Sequence, residues 1–163
     1  MTNNPTIKAT QTEPPSTDLD VTSGLLQDGA IVTFTLKATP TRPVVDRWFD
    51  LVADAVTNWP TEKAYLALHD FSDERVSFTR YAQARVKEFE PLVARLHGRI
   101  ALVLAPNLQG QIIRLALRSF GWQKKLRTEA FFTYDGALKF LQEGLRLSEA
   151  GKNGLNTSKH IGW

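Results

Sequence analysis

The stretch Lys63-Ala64-Tyr65-Leu66-Ala67-Leu68-His69-Asp70-Phe71 decides the fold. Ala64 to Leu68 are five small or apolar residues in a row, bounded by charge, and such a run reads as a strand buried on both faces. A strand of that kind belongs in the middle of a sheet. The polar run Ser72-Asp73-Glu74-Arg75-Val76-Ser77 follows it and leads into an amphipathic helix. Open α/β sheets keep their sites beyond the carboxyl ends of their strands, so this loop is the first place to look for function.

Working upstream, Val44, Val45, Trp48, Leu51, Val52, Ala55, Val56 and Trp59 recur at three and four residues. That spacing predicts a helix capped by Thr41, entered by Pro43 in its first turn and ended by Asn58-Trp59-Pro60. Before it, Ile31 to Lys37 alternates, with Val32, Phe34 and Leu36 on one face. Gln27-Asp28-Gly29 joins this strand to a weaker one over Leu19 to Leu26, and Asp-Gly between apolar runs signals a hairpin. The hairpin is expected at one edge of the sheet.

Downstream, Ala82, Val86, Phe89, Val93 and Leu96 define a second helix, which Pro91 should kink or divide. Ile100 to Ala105 is wholly apolar and is best placed beside the first strand as its parallel neighbour. A third helix spans Gln109 to Phe120, where Ile112, Ile113, Leu115, Ala116 and Leu117 cover so much of the circumference that burial nearly all round is expected. A short strand, Thr128 to Phe132, precedes a closing helix that Thr133 caps and that carries Ala137, Leu138, Leu141 and Leu145 on one face. The expectation is an α/β fold, a single mixed sheet of about five strands with about four helices in the order β-β-α-β-α-β-α-β-α.

Composition bounds the rest. A length of 163 residues with 42% hydrophobic content suits one domain, expected over 19–148. Residues 1–18, with Pro5, Pro14 and Pro15 among polar neighbours, read as a disordered tail, and 149–163 as a flexible one. No cysteine is present, which excludes disulfides, thiolate metal sites and thiol nucleophiles. The opening residues lack the pattern of a secretory signal or basic transit peptide, and no apolar run could span a bilayer, so a cytoplasmic protein without membrane insertion is expected. A net charge of +3 does not call for nucleic acid as a partner.

This order of elements resembles a STAS-type domain over about Leu19 to Leu147. The likeness is to the small SpoIIAA/STAS-like fold of anti-sigma-factor antagonists and sulfate-transporter cytoplasmic domains, in its divergent bacterial STAS/SEC14-like branch. It is carried by the Asp-Gly turn before Ala30-Ile31-Val32-Thr33-Phe34, by Tyr65-Leu66-Ala67-Leu68 running into Asp70-Phe71-Ser72, and by Ile100-Ala101-Leu102-Val103. The ending Ala130-Phe131-Phe132-Thr133-Tyr134-Asp135-Gly136-Ala137-Leu138-Lys139-Phe140-Leu141 completes it. The resemblance implies a protein-interaction module, switched in some members by phosphorylating a Ser or Thr at the start of the second helix. The matching segment here is Val76-Ser77-Phe78-Thr79, which lacks the Asp before the hydroxyl and the Gly after it. Capping is the ordinary role of Ser77 in such a place.

Asp70, Ser72, Asp73, Arg75, Ser77 and Thr79 therefore form the candidate interaction site. His69, Asp70, Asp73 and Glu74 also suggest a hydrolytic or metal site. Spacing argues against it, because His69 and Asp70 are adjacent in an extended segment and face opposite ways, with no second histidine in a ligand motif. No glycine-rich phosphate loop occurs, so neither a cofactor nor a nucleotide is expected. Arg114, Arg118, Lys124, Lys125 and Arg127 surround Phe120 and Trp122 as a basic patch, for which a solvated helix face is the ordinary reading. Two functions remain: a non-catalytic regulatory or scaffolding module with a protein partner, a second copy of the chain included, or a carrier or sensor of a small apolar or anionic ligand.

Overall fold

The computed structural model describes residues 20–119 and 125–157. Its sheet has five strands, β1 (Val21–Leu26), β2 (Ile31–Leu36), β3 (Tyr65–Phe71), β4 (Gly98–Leu104) and β5 (Leu126–Phe131), adjacent in sequence order. The β1 and β2 strands pair antiparallel, and every later neighbour is parallel. The apolar run thus lies in the central strand, with Tyr65 to His69 all buried. At the hairpin, Asp28 and Gly29 adopt φ of 55° and 83°, and the Ala30 N–H donates to the Gln27 carbonyl at 3.1 Å. Positive φ at both central positions matches the twist of the two strands, which is why Asp-Gly serves there.

Helix placement follows from the strand order. From β2 to β5 the sheet grows in one direction, and parallel crossovers are right-handed, so all three crossovers belong on the same face. That face carries α1 (Arg42–Asn58), α2 (Arg80–Lys87), α3 (Phe89–Val93) and α4 (Leu108–Ser119). The opposite face is left to α5 (Tyr134–Thr157), whose Ala137, Phe140 and Leu141 pack on Ile31, Leu66, Leu68, Ala101 and Val103. On the crossover face, Val52 and Val56 of α1 meet Val32, Phe34 and Tyr65, and Phe89 and Val93 of α3 join them.

Local chemistry sets the helix boundaries. The second helix divides where proline requires it: α2 stops at Lys87, four residues before Pro91, whose ring would clash with that carbonyl. At the end of α1, the Arg95 guanidinium donates to the carbonyls of Val56, Thr57 (3.0 Å) and Trp59 (3.1 Å), satisfying groups a helix end leaves open. Asn107 opens α4 by accepting from the Gly110 N–H at 2.9 Å.

Three expectations are corrected. The second helix begins at Arg80, not at Ser77: Thr79 is extended (φ −67°, ψ 160°) and its hydroxyl accepts from the Ala82 N–H at 3.1 Å, so Thr79 is the cap. The closing helix runs to Thr157, past the boundary expected at 148, because no proline interrupts Glu149 to Thr157 and glycine weakens a helix without stopping it. The third crossover helix is not buried nearly all round: Leu108 is 76% and Ile112 51% exposed. It packs on β5 at the sheet's end and shares only part of its circumference with the rest of the fold. The expected disordered tail at 1–18 lies outside the described residues.

Candidate functional site

The loop singled out in the sequence follows β3, and most of it is occupied with holding itself. Asp70 Oδ1 accepts from the Ser72 N–H (3.0 Å) and hydroxyl (2.6 Å). Asp73 receives the Arg75 guanidinium in a two-point contact at 2.9 and 2.8 Å, and also accepts from the Arg75 N–H. Those Arg75 contacts hold the Asp73 carboxyl down at about 2. Arg75 reaches on to the Lys37 carbonyl at 2.6 Å, tying the loop to the end of β2. The loop is an internally bonded brace. Its next residues, Val76, Ser77 and Phe78, line a cavity.

That cavity, of about 280 Å³, lies on the crossover face. For scale, an engineered apolar cavity of about 150 Å³ accommodates benzene. Strand alternation builds its floor: Tyr65 and His69 project from β3, Ile100 and Leu102 from β4, and Thr128 from β5, all to one side. Trp48 and Val52 of α1, Val86 of α2, and Ile113 and Leu117 of α4 form walls. The space explains a pattern within the sheet: Ile100 and Leu102 are only half-buried on an inner strand, whereas Ala101 and Val103, facing α5, are buried.

His69 is the one buried polar residue among the core residues described, at 4% exposure. Its ring stacks on Phe34 with centroids 4.9 Å apart, and Trp48 and Phe71 approach it edge-on or tilted. Trp48 Nε1 donates to His69 Nδ1 at 3.2 Å. An indole N–H can only donate, so Nδ1 is bare and the ring proton sits on Nε2. Burial lowers the imidazole pKa to about 3, and the same cause raises that of the Tyr65 phenol. Both groups are therefore uncharged at neutral pH.

The histidine shift has a measurable consequence. Below the ordinary value of 6.5 the unfolded chain takes up a proton that the folded chain refuses until about pH 3. The stability is complete above that ordinary value and is lost as pH falls through the window, at about 1.4 kcal/mol per pH unit. The substitution His69→Phe keeps a ring against Phe34. Urea unfolding from pH ~6 to ~4 should show about one proton less of pH dependence in the variant; an unchanged slope would contradict a neutral buried imidazole.

Two further lining residues matter, because the Tyr65 hydroxyl and Thr128 Oγ1 are buried without a hydrogen-bond partner. Charge enters only at exposed lining positions, through Lys87 and Glu90. Among the described residues, no three His, Cys, Asp or Glu side chains converge as a metal site. The expected basic patch does not assemble from its described members: Arg114 lies over the Phe132 ring beyond the end of β5, while Arg127, near its start, stacks on Phe140 of α5 and pairs with Glu129. Lys125 is exposed in the turn before β5, and Lys124 and the side chain of Arg118 lie outside the described residues. Sequence reasoning missed Tyr65, His69 and Thr128 as one set. Alternation along β3 does put the first two on one face, but nothing local shows that α4 stands off from them.

No helix among the described residues is long and apolar enough to cross a membrane. No family model matches the sequence, and no curated protein matches it either. Among solved structures the chain is similar to an uncharacterized protein from the DUF3478 family with a SpoIIAA-like fold, from Shewanella loihica PV-4. The TM-score is 0.53 at 17% identity, over 74% of this chain and 91% of that one. The likeness is one of fold: a five-stranded mixed sheet with the SpoIIAA-like arrangement of helices.

Proposed function

We propose that this protein is a non-catalytic binding module that holds a small, largely apolar molecule in the cavity over β3, β4 and β5. The observation that carries the reading is the cavity itself, about 280 Å³ and walled by Trp48, Val52, Val86, Ile113 and Leu117. Interiors are normally packed to crystal density, and an empty space of this size forfeits dispersion contacts that a ligand would restore. Concave apolar sites with a few convergent polar groups are the usual form of a small-molecule site. Native mass spectrometry of freshly purified protein tests this: a bound small molecule is expected, and Leu102→Trp, which pushes an indole from the floor into the space, should release it. An unliganded mass for the wild-type chain, with no added apolar compound able to bind, would sink the reading.

A regulatory, partner-binding role is favoured by a different observation. Leu108 and Ile112, one turn apart on α4, expose apolar surface on the outer side of the helix whose inner side lines the cavity. Occupancy of the cavity would then be sensed at this surface, and a second copy of the chain is the partner that needs no further component. Sedimentation equilibrium should show a dimer that Ile112→Glu dissociates; a monomer at every concentration would exclude that partner. In this reading Ser77 acts through the cavity wall it lines rather than as a helix cap.

A further inference from the structure

The cavity has a shape as well as a volume. Along the floor its lining runs from Tyr65 to Phe71, the whole of β3, which at ~3.3 Å per residue is about 20 Å. The roof agrees, since the lining from Val45 to Val56 of α1 spans about 16 Å of helix at ~1.5 Å per residue. Both ends are apolar, with Val76 and Phe78 at the carboxyl end of the strands and Val93 and Ile100 at the other. A space of about 280 Å³ drawn out over that length averages roughly 14 Å² in section, so it is several times longer than it is wide. The exposed polar lining residues, Gln83, Lys87 and Glu90, stand along the flank formed by α2 and α3.

We infer that the cavity takes a slender, unbranched alkyl chain lying along β3 and β4, in preference to a compact cage or ring system of the same carbon number. A compact guest touches only part of so long a wall. The remainder stays empty and forfeits dispersion contacts that an extended chain makes along its whole length. An extended chain advances about 1.2 Å per bond, so roughly sixteen bonds fit between the two ends. This inference rests on the reading of the cavity as a binding site, and it adds the shape of the guest.

The test is calorimetric titration of the full chain with hexanol, octanol, decanol and dodecanol, each with its hydroxyl at the chain end, and with adamantanol, a cage with decanol's number of carbons. Affinity is expected to climb along the linear series by up to about fourfold for each added methylene. Decanol should bind more tightly than adamantanol by about tenfold beyond what the difference in their water-to-octanol partition explains. The variants Val76→Trp and Ile100→Trp place an indole at one end and at the other. In each, hexanol should keep its wild-type affinity while dodecanol loses about tenfold. A decanol advantage no larger than partition explains would overturn the chain assignment and leave the cavity reading standing. So would an affinity that stops rising at octanol, or dodecanol binding unchanged in both variants. Failure of every alcohol to bind, adamantanol included, would overturn the cavity reading together with this inference.

Discussion

Truncating Leu68 to alanine is expected to cost about 3 kcal/mol, while the same truncation at Leu102 costs less than about 1 kcal/mol. Both are leucines on inner strands of one sheet, and sequence alone would rank them together. Leu68 is fully buried against α5, among Ile31, Ala101 and Leu141, so its loss removes apolar transfer energy and opens a cavity in a closed layer. Leu102 faces the other way, is half-buried, and already borders open space, so truncation enlarges an existing void. A small domain holds about 5 to 15 kcal/mol in all, so the first change is a large fraction of its stability. Urea unfolding with an unchanged slope in denaturant measures both. Equal losses would mean that the crossover face is packed as tightly as the α5 face, and the description of the cavity would be wrong.

The second large effect belongs to Gly98, where β4 begins. Its φ is +140°, and a Cβ there would lie 2.2 Å from the Tyr65 carbonyl oxygen and 2.7 Å from the Tyr65 nitrogen. Two penalties add for Gly98→Ala. The backbone conformation is strained for any L side chain, by about 1 to 3 kcal/mol, and the clash is with backbone that cannot rotate away. The Tyr65 N–H donates to the His97 carbonyl at 2.7 Å, so the two strands are pinned where they would need to part. A loss of more than about 3 kcal/mol is expected in urea unfolding, with Tyr65 displaced from the cavity floor. A loss below about 1 kcal/mol would show that the strands can separate here and that the register of Tyr65 against Gly98 is not fixed as described.

The fold was readable because its strongest signal was also its centre. The apolar run Ala64 to Leu68 has no exposed face, and only a central parallel strand suits it. The hairpin turn at Asp28-Gly29 and the division at Pro91 were equally plain, since each is set by the stereochemistry of one or two residues. Capping was less so. Ser77 and Thr79 both satisfy the composition rule, and the choice fell to the hydroxyl that meets the Ala82 N–H.

The site was harder to read, and α4 shows why. A helix apolar on most of its surface looks buried, yet the same periodicity fits one that lines a cavity with Ile113 and Leu117 and turns Leu108 and Ile112 outward. Periodicity reports which residues share a face, not how close the next layer comes. For the same reason Thr128 read as an ordinary strand residue, and His69 as the end of a strand beside a solvated loop. Their meaning depends on the gap above them.

Whether that gap takes a guest decides between a binding module and a loosely packed sheet face. Two-dimensional amide NMR of the full chain, titrated with naphthalene, reads it residue by residue. Saturable one-to-one changes are predicted at His69, Ile100, Leu102, Val86 and Ile113, which surround the cavity from three sides, and they should be absent in Leu102→Trp. Shifts that never saturate, or that fall on Ala137, Phe140 and Leu141 of α5 while the five residues named above stay unmoved, would contradict it.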